Sequence, residues 1–105
     1  MAVPRILRAP EARQDLLGIW AYIARENSPS VADTVLGRLY GALEVLASAP
    51  QIGRERAEFA GSPRSFAVRP YVIFYQPLTD GDGILVWRII HGARNLPPLV
   101  RPPSQ

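Results

Sequence analysis

The chain has 105 residues, no cysteine, one histidine and a formal charge of +3, and all twelve of its basic residues are arginine. A length of this order makes one domain, which buries roughly two-thirds of the surface that its unfolded form exposes. The inventory excludes disulfides, thiol chemistry and Cys-based zinc sites, leaves a His-rich metal centre without ligands, and contains no apolar run near the ~20 residues of a membrane span.

No metal and no cofactor is therefore expected. The opening MAVPRILRAPE has no long apolar signal core, so the default location is the cytoplasm and no membrane partner is expected. Arginine without lysine fits a GC-rich genome, because alanine, glycine and proline are abundant too. Where the charge lies says more. Residues 1–53 hold five arginines and five acids, and residues 54–105 hold seven arginines and four acids. The surplus sits in the second half, which suits an acidic or phosphate-bearing partner, or simply a solvated basic surface.

In chain order, Val3–Arg8 reads as a short first strand, and Pro4 gives it an edge position. Pro10 opens a helix over Pro10–Glu26, with Ala12, Leu16, Ile19, Trp20 and Ile23 on one face. Ala9 is a poor cap for it. Asn27-Ser28-Pro29 ends this helix, and Ser28 caps a second one over Pro29–Ser48, striped with Ala32, Val35, Leu39, Ala42, Leu43 and Leu46 and stopped by Pro50. So short a connection makes an antiparallel helical hairpin. Gly37 and Gly41, four apart, suit either a close approach of the two helices or two tolerated defects. Pro50–Pro63 is a loop that Phe59 pins to the core.

Three runs follow, Arg64–Val68, Tyr71–Gln76 and Ile84–His91, rich in β-branched and aromatic residues and broken by Arg69-Pro70 and Asp80-Gly81-Asp82-Gly83. Short connections make them antiparallel neighbours. Both faces of these strands are largely apolar, whereas a sheet with one wet face alternates cleanly. Either the sheet curls strongly or a second chain covers part of it. The expected fold is α+β: an N-terminal strand, a helical hairpin, then three antiparallel strands, with the helices on one face of a four-stranded, mainly antiparallel sheet. Its expected core is Leu16, Ile19, Ile23, Val35, Leu39, Leu43, Leu46 and Phe74, with Trp20 and Trp87 as further core residues. Residues 1–96 form the domain. Residues 97–105 form a Pro-rich tail that favours polyproline II or irregular extension, with Leu96, Leu99 and Val100 as apolar anchors along Asn95–Gln105.

This order resembles the RelE/ParE superfamily of toxins from bacterial type II toxin–antitoxin modules. The residues that carry the resemblance are Ala12, Asp15, Leu16, Ile19, Tyr22 and Ile23 in the first helix and Asn27, Pro29 and Ala32 at the start of the second. Leu43 and Leu46, Gly53-Arg54, Arg64-Ser65-Phe66, Tyr71 to Tyr75 and Arg88 to Arg94 extend it. The Tyr-x-Ile-Phe-Tyr strand and the Ile-His-Gly-Ala-Arg ending are more similar to the ParE branch. That branch implies a toxin that inhibits DNA gyrase by binding it and is neutralised by a cognate antitoxin, whose C-terminal segment wraps the toxin in a hetero-oligomer. The other branch implies a ribosome-dependent endoribonuclease acting on messenger RNA, with Arg64, Arg88, His91 and Arg94 as its candidate catalytic residues. A non-toxic antitoxin-binding relative is the third reading. The expected target-binding residues are Arg64, Arg88, Arg94, Leu96 and Leu99. The expected antitoxin-binding residues are Leu17, Val31, Leu36, Tyr40, Tyr71 and Tyr75. Cleavage of RNA needs proton-transfer groups as well as cations. This chain offers one histidine, while its arginines stay protonated, so binding is favoured over catalysis.

Overall fold

The computed structural model describes residues 3–103. The elements are β1 (Arg5–Arg8), α1 (Pro10–Glu26), α2 (Pro29–Ser48), a 3-10 turn (Pro50–Ile52), β2 (Arg54–Glu55), β3 (Arg64–Val68), β4 (Tyr71–Pro77) and β5 (Gly83–His91). The fold is α+β, and both helices have the bounds that their prolines set. The Ser28 side chain accepts from the Val31 N–H at 3.1 Å, while Ala9 makes no side-chain cap.

The sheet has five strands in the order β1-β5-β4-β3-β2, one more than expected. The addition is β2, two residues that pair Arg54 with Ser65 and Glu55 with Arg64. It is held by backbone pairing and has no apolar pattern of its own. β2 to β5 are antiparallel neighbours, and β1 runs parallel to β5 at the sheet edge, with Arg5 opposite Gly83 and Arg8 opposite Val86. Gly83 has φ +124°, and a Cβ there would strike the Arg5 backbone, so only glycine lets the two strands meet.

A bulge resolves the mixed alternation of β5. Tyr75 pairs with Val86 and Phe74 with Arg88, which leaves Trp87 as the extra residue. The phase of the strand shifts there. Ile84, Val86 and Ile89 join Leu16, Leu39, Leu43, Leu46, Ile73 and Tyr75 in the core beneath the helices. Trp87 and Ile90 point to the opposite face, where Phe59, Phe74 and Val100 form a second core with Leu85, Leu96 and Leu99 packed against it. Phe74, expected beneath the hairpin, belongs to this second core.

The second face is covered by the chain itself. Phe59 meets Phe74 edge-on at 5.3 Å between centroids, and Arg56 lies over both rings while pairing with Glu58 at 2.8 Å. The tail continues across the same face, and Val100 is 1% exposed. Neither a strong curl nor a second chain is needed to explain the apolar residues there. Trp20 departs from expectation, being 38% exposed at the rim of the hairpin, where its Nε1 donates to Asp33 at 2.8 Å. Gly37 and Gly41 mark no close approach, because a Cβ at either would meet nothing within 4 Å.

Candidate functional site

Two open depressions flank α1. The first is a groove of about 500 Å³ between α1, α2 and the end of β1. Leu17, Trp20 and Tyr40 stand on its walls, Leu16 and Leu36 form its floor, and Arg8 and Arg13 lie at one end. Arg13 is positioned by donating from Nη1 to the Arg8 carbonyl at 2.8 Å. The hairpin makes this groove because each helix carries two apolar stripes. The deeper stripe packs on the sheet. The shallower one, Leu17 and Trp20 on α1 with Gly37 and Tyr40 on α2, is left outside at i, i+3 spacing.

The second depression, also about 500 Å³, lies on the other flank of α1, against the ends of β4 and β5. Tyr22 and Gln14 border it from the helix, and Tyr71, His91 and Arg94 border it from the strand ends. The His91 ring stands edge-on to Tyr71 at 5.8 Å between centroids, and its Nδ1 accepts from the Ala93 N–H at 3.1 Å. Burial, and then the neighbouring Tyr22, raise the Tyr71 pKa above the usual phenol value.

The structure distributes the expected site residues unevenly. It gathers Leu17, Leu36 and Tyr40 in the first groove, and Tyr71, His91 and Arg94 in the second. Val31 is exposed on α2 outside the first groove. Leu36 is 6% exposed and serves as floor rather than rim. Tyr75 is fully buried, its hydroxyl donating to the Pro50 carbonyl at 2.8 Å and accepting from the Gly53 N–H at 2.9 Å, so it offers a partner no surface.

The arginines divide in the same way. Arg64 donates to the Gln51 carbonyl, to Gln51 Oε1 and to the Gly53 carbonyl, at 3.2, 2.7 and 2.7 Å, and so ties down the loop before β3. Arg88 is held by Asp15 and by the Leu99 carbonyl. Both guanidinium groups are engaged inside the molecule, whereas Arg94 is exposed and takes no part in the ion pairs among the described residues. Leu96 and Leu99 pack on the second core, away from Arg94's groove.

Residues 6–96 match the family model described as the ParE toxin of the type II toxin–antitoxin system parDE. The chain belongs to this family. It is 27% identical over 92 residues to Toxin ParE3 of Caulobacter vibrioides, a match covering 88% of this chain and 90% of that protein. Its fold is similar to a solved chain of a chromosomal ParDE toxin–antitoxin system from P. aeruginosa, with a TM-score of 0.70 and 18% identity over 85% of this chain and 96% of that one.

In this ParE-family chain the sequence reading missed Trp20, Arg8, Arg13, Asp33 and Gly37 in the first groove and Gln14, Asp15, Gly18 and Tyr22 in the second. The signal for the first was present, as the shallow i, i+3 stripe beside the core stripe. Tyr22 had only its aromatic character. Among the described residues, no helix is long and apolar enough to cross a membrane.

Proposed function

We propose that this ParE-family toxin acts by binding: it inhibits DNA gyrase through direct contact, and a cognate antitoxin neutralises it from the hairpin groove. The observation that carries this reading is that groove, an open apolar trough with Leu17, Trp20 and Tyr40 exposed on it and Arg8 and Arg13 at one end. Such a trough suits an amphipathic helix that sets apolar anchors every three or four residues and carries acids toward the arginines. The anchors supply affinity and the charges supply register. An antitoxin segment that is disordered when free would order on binding, in a toxin–antitoxin hetero-oligomer, with a large negative heat-capacity change. A gyrase target places this work in the cytoplasm.

The test is to induce the chain with and without its antitoxin while following growth, gyrase supercoiling and transcript integrity. Growth arrest with accumulated cleaved DNA, intact transcripts and rescue by the antitoxin is the expected result. Cut transcripts with supercoiling unaffected would overturn it in favour of a ribonuclease. Normal growth would make the chain a non-toxic antitoxin-binding relative.

A further inference from the structure

Each depression contains one carboxylate that is already engaged. In the hairpin groove Asp33 accepts from Trp20 Nε1, and in the second depression Asp15 accepts from Arg88 Nε, Arg88 Nη2 and the Ile89 N–H. The other polar groups of the second depression are mainly donors. Because His91 Nδ1 accepts from the Ala93 N–H, the ring carries its proton on Nε2, which is a donor. Arg94 is exposed and free of ion pairs among the described residues. The raised pKa of Tyr71 keeps its hydroxyl protonated. Tyr22 is 58% exposed, and Gly18 and Ile19 provide an apolar floor without a projecting side chain at Gly18.

Donors around an apolar floor, with no unspent acid, complement a carboxylate beside an apolar side chain. A nucleic-acid backbone is a poorer fit, since affinity for one grows with the number of phosphates that arginine or lysine neutralises, and this site offers one arginine beside one histidine. We propose that this second groove receives an acidic–apolar segment of the protein target, on the flank of α1 opposite the antitoxin groove, so that poisoning and neutralisation occupy separate sites. The proposal rests on the binding-toxin reading above and adds which surface meets the target and what chemistry that segment carries.

Two glycines make the separation testable. Gly18 lines the second groove and Gly37 the first, and a Cβ at either meets nothing within 4 Å. Leucine at either position fills its groove and also favours the helix. The full-length chain and its Gly18→Leu, Gly37→Leu, Arg94→Glu and Arg94→Lys variants are compared, each first shown to be folded by circular dichroism. Three readouts are taken: growth arrest without antitoxin, inhibition of supercoiling by purified gyrase, and antitoxin affinity by calorimetry. Gly18→Leu and Arg94→Glu should lose growth arrest and need at least about tenfold more protein to inhibit supercoiling, while antitoxin affinity stays within about threefold. Arg94→Lys should retain part of the activity. Gly37→Leu should do the reverse, losing antitoxin affinity and keeping growth arrest.

A folded Gly18→Leu chain as toxic as wild type overturns the proposal. So does one that loses antitoxin binding as severely as Gly37→Leu. If Gly18→Leu does not fold, Arg94→Glu on its exposed side chain decides in its place. Wild-type growth arrest without any effect on supercoiling sinks the gyrase reading alone, and the growth readout still decides the groove. A wild-type chain that does not arrest growth overturns both. Steeply salt-dependent binding of a fluorescein-labelled DNA duplex that Arg94→Glu abolishes would replace the peptide with a nucleic acid and overturn the assigned occupant.

Discussion

Arg88 grips Asp15 with two parallel hydrogen bonds, Nε to Oδ2 at 2.7 Å and Nη2 to Oδ1 at 2.8 Å. The same Oδ2 accepts from the Ile89 N–H at 2.9 Å, and Arg88 Nη1 donates to the Leu99 carbonyl at 2.9 Å. One guanidinium therefore ties α1, β5 and the tail together across a largely buried ion pair. The hydrogen bonds that Arg88 donates to Asp15 hold its pKa above its already high usual value, against the opposing effect of burial.

Asp15→Ala should cost about 3 kcal/mol in urea unfolding, because it strands a largely buried charge and a backbone N–H together. Asp15→Leu combined with Arg88→Met should recover most of the loss, since a hydrophobic pair of similar volume removes the stranded groups. Arg88→Glu should fail as a folded protein before it can report on any target. A loss below about 0.5 kcal/mol for Asp15→Ala would show that the pair contributes little.

Tyr75→Phe should cost about 1–2 kcal/mol, because it unpairs the Gly53 N–H while leaving the ring in place. Burial raises the Tyr75 pKa, so the hydroxyl is more strongly protonated in the folded state than in the unfolded one. Its contribution is complete below the unfolded value of about 10 and is lost as pH rises from there through the folded value. The stability gap between wild type and Tyr75→Phe should narrow above about pH 10. Urea midpoints measured across that range check this, and a constant gap would contradict it.

Leu39→Ala should cost about 2–5 kcal/mol through lost burial and a residual cavity, as Leu39 is fully enclosed beneath the hairpin. Thermal or urea unfolding measures it.

Deleting the chain from Leu96 onward should uncover Phe74, Trp87 and Ile90, shift Trp87 emission to the red and create binding for a hydrophobic dye. Val100→Ala alone should cost about 2 kcal/mol. A truncated chain with unchanged stability and emission would show that the tail only rests on the sheet.

Trp20 should report occupancy of the hairpin groove. It stands on the groove wall, whereas Trp87 is enclosed on the far face, so antitoxin binding should shift Trp20 emission to the blue. Trp20→Phe should abolish that response. A response that survives in Trp20→Phe would place the antitoxin elsewhere.

The elements whose ends are fixed by local chemistry were legible in the sequence. Pro10, Ser28-Pro29 and Pro50 punctuate the helices, and Asp80 to Gly83 punctuates the sheet. What depends on distant parts of the chain was not. β2 is two charged residues that become a strand only because Ser65 and Arg64 lie beside them. The apolar residues on both faces of β5 were visible, but the Trp87 bulge and the tail that covers the second face leave no period to read. Arg64 and Arg88 look like free cations in a string of letters, and only the fold shows the carbonyls and the carboxylate they serve. The hairpin groove was half legible, as Leu17, Leu36 and Tyr40. Arg13 sits one turn before Leu17 on α1, but Arg8 reaches the groove through the placement of β1, which no local pattern announces.

The parallel pairing of β1 with β5 also sets an order of assembly. Among the described residues β1 pairs with β5 alone, and that partner is separated from it by nearly the whole fold. The helical hairpin can form early from local contacts, but the end of β1 is anchored only when residues 83–86 arrive beside it. Closing so long a loop is the slow kind of step. On a ribosome the groove that includes Arg8 is therefore finished after everything between the two strands has been made. The apolar walls of the groove come from the hairpin and can form first, whereas its Arg8 end waits for the last strand.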